Sequence, residues 1–264
     1  MKKLKVPRFH LFEFEDLRWL PKFLRGYITD LLTYQIVDFG IYKSAIPKIA
    51  EVLDKSGQDT LVDLCSGSGG PSPGIIEELS LMLKKNISLF LTDKFPNKKA
   101  FLRMKSSSVT PVLESVDAQS VPIHLDLIGM RTLFTSFHHF KPKKAQKILQ
   151  DSVNKQMPIG IFEITERKLG SLLTLFIAPI TCLIFSLFIR PRKIGRFFWT
   201  YVIPIVPILY TWDGLISNLR TYSKNELIKM TSDIETGESS YHWETGELIS
   251  RFHIKVNYLI GCPK

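Results

Sequence analysis

The sequence predicts an α/β protein built on a doubly wound, mostly parallel sheet. Three observations carry that expectation. Short, continuously apolar runs alternate with stretches of helical periodicity, the first of these runs opens into a glycine-rich loop, and a stretch near the C-terminus alternates like a last, antiparallel strand. The run at 60–64 (TLVDL) has the length and composition of a buried strand, and CSGSGGPSP follows it. From Pro73 a helical face runs through Ile75, Ile76, Leu79, Met82 and Leu83. Strand, glycine loop and helix form the first half of a βαβ unit. Further strands are expected at 87–92, 130–135 and 159–164, with a helix at 142–153 between the last two and the final strand at 252–260. Ahead of the sheet, Phe23, Leu24, Tyr27, Ile28, Leu31, Leu32 and Ile36 recur at helical spacing behind Pro21, a residue suited to a helix start. A second helix at 45–53 aligns Ile46, Ile49, Ala50 and Leu53, and Ser56-Gly57-Gln58-Asp59 reads as the turn into the first strand.

Composition bounds the function. The chain has 264 residues, of which 45% are hydrophobic and 23% charged, so it can build a substantial core. Its three cysteines, Cys65, Cys182 and Cys262, are far apart and show no metal-ligand spacing. Neither a disulfide framework nor a metal site is expected, and a reducing compartment suits the chain. The basic start of the chain is followed by Glu13, Glu15 and Asp16 rather than by a long apolar core, so no secretory leader is expected. The net charge of +10 concentrates at Lys2/Lys3/Lys5/Arg8, Lys141/Lys143/Lys144/Lys147 and Arg190/Arg192/Lys193/Arg196. Charge alone leaves nucleic acid, anionic lipid and a plain solvated surface open.

The glycine loop narrows the choice. Glycine admits a ligand against bare backbone, and the helix start adds free N–H groups and a positive dipole end, which favour a carboxylate or phosphate. Asp93, at the end of the next strand, is placed to accept two hydrogen bonds from ribose hydroxyls. Together they describe a site for a nucleoside joined to an anionic group. The dinucleotide fingerprint requires glycine at position 72, where Ser72 stands.

The pattern Asp63-x-Cys65-x-Gly67-x-Gly69 resembles motif I of class I S-adenosylmethionine-dependent methyltransferases, acid-x-Gly-x-Gly-x-Gly, with Cys65 at the first glycine. FLTDKFPN resembles the second motif and ESVDAQSVP the third, while RTLFTSFHHFKPKKAQKIL and GIFEITER resemble the fourth and fifth. The resemblance spans about residues 40–165 and a C-terminal strand pair. It implies a Rossmann-like methyltransferase sheet binding S-adenosylmethionine through Asp63, Cys65, Gly67, Gly69, Asp93, Asp117 and Ala118. In that scheme Asp93 grips the ribose, Asp117 sits beside the adenine amino group, and Ala118 backs it. His138 and His139 fall on the substrate side, where either can take a proton from a phenol or alcohol; a structural histidine is the other reading. Asp93 and Asp117 also read as ordinary loop acids, and Cys65 reads as a packing residue rather than a nucleophile.

The second anomaly lies at 171–212. SLLTLFIAPITCLIFSLFI and FFWTYVIPIVPILYTW are uncharged, and RPRKIGR separates them. The first run has about the 20 residues that a spanning helix needs. A single crossing would strand the last sheet residues on the wrong side, so an in-plane or re-entrant element is expected, with arginines at head groups and Trp199, Tyr201, Tyr210 and Trp212 at the interface. A buried apolar cap over the substrate pocket or in a dimer, and a true spanning helix, stay open. Asp213 and Arg220 are candidates to pair or to line a pocket.

The expected organisation is an N-terminal helical cover at 1–55 and a methyltransferase domain at 56–264 carrying an apolar insertion at about 168–215. The expected activity is methyl transfer to an apolar small molecule or lipid-like acceptor, at the cytoplasmic face of a membrane or in the cytoplasm. A catalytically inactive binding protein of the same fold is the alternative. A nucleic-acid partner is not expected, because no Asn/Asp-Pro-Pro-aromatic motif occurs.

Overall fold

A computed structural model of the chain describes residues 6–17, 19–236 and 240–264. Lys2, Lys3 and Lys5 of the N-terminal basic cluster lie outside the described residues. In chain order the elements are α1 (Lys22–Thr33), α2 (Ile46–Ser56), β1 (Thr60–Asp63), α3 (Ser72–Leu83), β2 (Ser88–Asp93), α4 (Lys98–Met104), β3 (Val109–Ser115), β4 (Met130–Phe134), α5 (Pro142–Asn154), β5 (Ile159–Glu163), α6 (Leu169–Thr174), α7 (Ala178–Ser186), α8 (Ile194–Phe197), α9 (Ile205–Arg220), α10 (Lys224–Ser232), β6 (Tyr241–Ile249) and β7 (Lys255–Pro263). They divide into two units, one of residues 40–164 with 224–264 and one of residues 1–39 with 165–223.

The first unit holds a seven-stranded sheet in the order β3-β2-β1-β4-β5-β7-β6. The first five strands are parallel, and β7 runs antiparallel to both β5 and β6. Strand order therefore reverses between β1 and β4, where ligands of open α/β sheets bind at the carboxyl ends. The central strands are buried on both faces, as their continuous apolar runs require: Leu61 to Asp63 in β1, Met130 to Leu133 in β4 and every residue of β5. Arg131 breaks the apolar run of β4, and its Nη1 is held by Asp151 at 2.9 Å and Ser152 at 2.8 Å, both on α5. Helix starts and stops follow the local chemistry. Pro142 opens α5, Asn97 caps α4 through the Ala100 N–H, and Gly57 ends α2 in a left-handed conformation.

Several expected boundaries move. β4 stops at Phe134 because Thr135 turns to φ +44°, and the last strand begins at Lys255 because His253 occupies a turn at φ +58°. β3 and β6 had been expected only as parts of a motif and of a strand pair; β3 is an edge strand and carries Pro111. α2 packs on α3 and β7 and belongs to the sheet unit, while the residues up to 39 belong to the helical unit.

The second unit is helical. α1 continues into a wider helical turn at Tyr34–Asp38. Its core gathers Leu20, Leu24, Ile28 and Leu31 with Cys182, Ile189, Val206 and Leu209. The apolar run at 171–189 is not one helix: α6 and α7 are separated by a turn at 175–177. No single described helix is long and apolar enough to cross a membrane; the segments Ile194–Val202 and Ile205–Arg220 satisfy length and composition together but are bent by 79°. The expected basic cluster at 190–196 is split. Arg196 is fully buried, donating to Asp30 at 3.0 Å and to the carbonyls of Ile189 and Pro191, and Lys193 also pairs with Asp30 at 2.6 Å. Asp213 and Arg220 hold the N-terminal segment: Asp213 accepts the Phe14 and Glu15 N–H groups, and Arg220 pairs with Glu13 and Asp16.

Gly129 leads into β4 at φ +148°, and a Cβ there would lie 2.5 Å from the Thr60 carbonyl oxygen. Gly129→Ala is expected to destabilise the chain by about 1–3 kcal/mol. Urea unfolding should show a lower midpoint with an unchanged slope, and an unchanged midpoint would contradict the assigned close approach.

Candidate functional site

Asp63 ends β1 and is buried. Its Oδ1 accepts from the Thr132 hydroxyl at 3.0 Å, and its backbone carbonyl accepts from the Ser66 hydroxyl at 2.8 Å and the Thr92 hydroxyl at 2.9 Å. Backbone bonds reinforce this knot, with Leu64 N–H donating to Thr132 and Ser66 N–H to Thr92. The ends of β1, β2 and β4 are thereby tied together at the point of strand reversal. Burial pushes the Asp63 carboxyl from an ordinary 3.8 up to about 7; hydroxyls of Ser72, Ser66 and Thr132 pull it back down, and the Asp93 charge adds to the rise.

The loop leaving this knot is shaped by left-handed backbone. Cys65 lies at φ +61°, Gly67 at +57°, Gly69 at +107° and Gly70 at +49°. The positive φ of Gly69 disfavours larger residues, and a Cβ there would also require the flexible Met104 thioether to move. The loop delivers the chain to the start of α3 with Pro73 in the first turn. Desolvation among loop atoms and the charges of Asp93 and Asp63 push the Cys65 thiol up, which keeps it neutral.

Asp93 ends β2 and reaches back to this loop, its Oδ2 accepting the Gly67 N–H at 2.9 Å and its Oδ1 the Phe95 N–H at 2.7 Å. A carboxylate has about four lone-pair sites, so capacity for hydroxyl donors is retained. Asp117 follows β3 and is joined to the same edge, because Val116 N–H donates to the Asp93 carbonyl. Lys94 pairs with Asp117 Oδ2 at 2.6 Å and Gln119 N–H donates to its Oδ1 at 3.0 Å. These contacts overcome the upward push of desolvation and hold the Asp117 carboxyl below its ordinary value. Ala118 beside it is buried. Asp63, Cys65, Gly67, Gly69, Asp93, Asp117 and Ala118 thus all lie at the carboxyl edge of β1–β3 or in the loops leaving it.

His138 and His139 lie beyond β4 in a short turn at Phe137–His139. His138 is buried, and Glu163 at the end of β5 engages it twice: Oε1 accepts the His138 N–H at 3.1 Å and Oε2 lies 2.8 Å from Nδ1. Burial pushes Glu163 up, but the charge and hydrogen bonds of His138 prevail and hold it below the usual carboxylate range. The His139 ring is 4.4 Å from that of His138. Sequence reasoning assigned no role to Glu163, or to Tyr42, whose hydroxyl bonds to Thr135 and to the Phe162 carbonyl at the same edge. The acid closing the fifth apolar strand was the available signal for Glu163.

No protein-family model matches the chain, and comparison with curated proteins finds no match. Comparison with solved structures does. The plantazolicin methyltransferase BpumL in complex with SAH aligns with a TM-score of 0.61 at 11% identity, covering 95% of this chain and 94% of that one. BpumL in complex with a monoazolic desmethylPZN analog and SAH aligns with a TM-score of 0.51 at 10% identity, over 92% of this chain and 98% of that one. PigF with SAH gives a TM-score of 0.51 at 15% identity, over 96% of this chain and 62% of that one. The fold is the class I methyltransferase fold. At such identities the likeness is one of architecture, including the antiparallel C-terminal strand.

The folded Asp63 holds its proton more tightly than an unfolded aspartate does. The stabilisation this gives is complete below about 3.8 and is lost as pH rises through about 7. Asp63→Asn removes that titration. Scanning calorimetry without added cofactor should show a flatter pH profile between those values, and a midpoint above the parent's by about 2 °C or more beyond pH 7. Identical profiles would refute the assignment.

Proposed function

We propose that the protein is an S-adenosylmethionine-dependent methyltransferase acting on an apolar small-molecule or lipid-like acceptor. One observation carries the reading. A left-handed glycine loop, a helix start and the Asp93 carboxylate converge at the carboxyl edge of β1 and β2, beside the strand reversal of a class I methyltransferase sheet. The residues fit the cofactor. The loop offers backbone unobstructed at Gly67, where a Cβ would meet nothing within 4 Å; Asp93 offers a hydroxyl acceptor, and Asp117 with Ala118 a polar group beside an apolar one.

When bound, S-adenosylmethionine supplies a methyl group already activated on a sulfonium, and transfer to an acceptor lone pair leaves a neutral thioether. The side chains are therefore asked mainly to position, and to remove a proton where the acceptor carries one. Glu163 holds the His138 imidazole through Nδ1 and so favours the tautomer with Nε2 as the basic nitrogen. The carboxylate also stabilises the imidazolium that forms when Nε2 accepts a proton. The apolar acceptor is inferred from the composition of 171–212, which contains no acidic residue.

Calorimetric titration with S-adenosylmethionine tests the first half of this reading. Asp93→Ala is expected to weaken binding by about tenfold or more, the loss of a hydrogen bond to a charged group. Absence of binding by the folded parent protein would sink it. The second half is read by transfer of labelled methyl groups into the organic phase of a total lipid extract. His138→Gln and Glu163→Gln are expected to lower kcat by about a hundredfold or more with cofactor affinity retained. Unchanged kcat in both variants would remove the dyad from the chemistry.

A further inference from the structure

The helical unit presents an apolar surface that its own core does not use. Along α7 and the residues flanking it, Ile177, Ile180, Ile184 and Phe188 recur at helical spacing and are exposed, while Cys182, Ser186 and Ile189 are buried. The pattern repeats after the connection. Ile194, Phe198 and Val202 are exposed at the same spacing, with Ile194 at 89%, while Arg196 and Thr200 are buried. Two successive helical segments thus each carry one packed face and one bare apolar face. Isolated exposed apolar residues are ordinary, but a bare apolar stripe on each of two consecutive segments is not.

Charge says what the surface fits. Residues 169–212 contain no aspartate or glutamate. Of the four basic residues at 190–196, Lys193 and Arg196 are consumed by Asp30. Arg190 and Arg192 are exposed, and no described acid pairs with either. They sit on the connection between Phe188 and Ile194, so two cationic heads lie where the two apolar stripes meet in the chain. A second copy of the chain is a poor occupant, since an isologous contact through this patch brings the arginines of both copies together without a compensating acid. An anionic bilayer satisfies both features, with apolar side chains below the head groups and guanidinium groups among lipid phosphates.

We propose that the stripes on α7 and on residues 194–202, with Arg190 and Arg192 between them, form a surface that seats this protein in the plane of an anionic lipid bilayer. The segments lie in the interface rather than across it, in keeping with the break between α6 and α7 and the 79° bend after residue 202. This proposal is independent of the cofactor reading. A protein that binds S-adenosylmethionine and ignores vesicles, or the converse, separates the two.

The test is flotation of the full-length protein with vesicles of phosphatidylcholine alone and with phosphatidylglycerol added. Binding is expected only or mainly with phosphatidylglycerol, and to weaken as salt is raised. Arg190→Ser with Arg192→Ser should reduce the partition coefficient to anionic vesicles by about tenfold or more. Ile194→Asp, at a position that packs against little, should lower binding with an unchanged circular dichroism spectrum. Should a variant misfold, tryptophan quenching of the parent protein by brominated anionic lipids decides the matter without substitutions. Equal partition to neutral and anionic vesicles overturns the proposal, as does no partition at all. So does a concentration-dependent dimer in sedimentation that Ile194→Asp dissociates and vesicles do not.

Discussion

The hydrogen bonds around Asp63 are the constraint on which the sheet unit's site depends. A carboxylate at the end of a buried strand is costly unless donors converge on it. Here Thr132 from β4 meets the side chain, while Thr92 from β2 and Ser66 from the loop meet the Asp63 carbonyl. The same contacts that satisfy this acid hold three strand ends in register. The loop from Cys65 to Gly70 can then adopt left-handed backbone at Cys65, Gly67, Gly69 and Gly70, because both its origin at β1 and its return to α3 are held. Strain in the loop is thus carried by the polar knot beneath it. The second anchor is the Asp93 carboxylate, which holds the Gly67 N–H and sets how far the loop stands from β2.

Across the strand reversal, β4 and β5 use the same economy with other residues. Thr135 leaves the strand at positive φ, and its hydroxyl meets that of Tyr42, which also donates to the Phe162 carbonyl. Glu163 then turns to His138, binding both its backbone and its ring. The two halves differ in chemistry. The β1–β3 side offers backbone and carboxylates, suited to a polar cationic cosubstrate; the β4–β5 side offers one imidazole backed by one carboxylate.

Much of this was legible in the sequence where short-range pattern decides structure. The central strands announced themselves because burial on both faces demands unbroken apolar runs, and the glycine loop because its left-handed backbone favours glycine at three of four positions. β3 escaped because an edge strand need not be apolar: it mixes Thr110, Pro111, Glu114 and Ser115 with its valines. The Glu163–His138 pair escaped because strand pairing, not sequence spacing, brings the two together. Arg196 was grouped with an exposed basic cluster expected at head groups, since its partner Asp30 lies on α1 in the distant N-terminal segment. The apolar run at 171–189 was visible, but its division into α6 and α7 was not, because the turn at 175–177 is itself made of apolar residues.

The split of the sheet unit into residues 40–164 and 224–264 bears on how the chain is made. β5 pairs on one side with β4 and on the other with β7, whose residues follow the whole of 165–223. A nascent chain that has completed β1 to β5 therefore waits through the synthesis of an apolar helical segment before its outer edge is covered. During that interval β5 presents an unpaired, mostly apolar edge while helices that are themselves apolar emerge. The pairing of β5 with β7 closes a long loop, which slows it further. Production of this protein should accordingly depend on translation speed and on chaperones that shield β5, to a degree that the stability of the finished fold does not reveal.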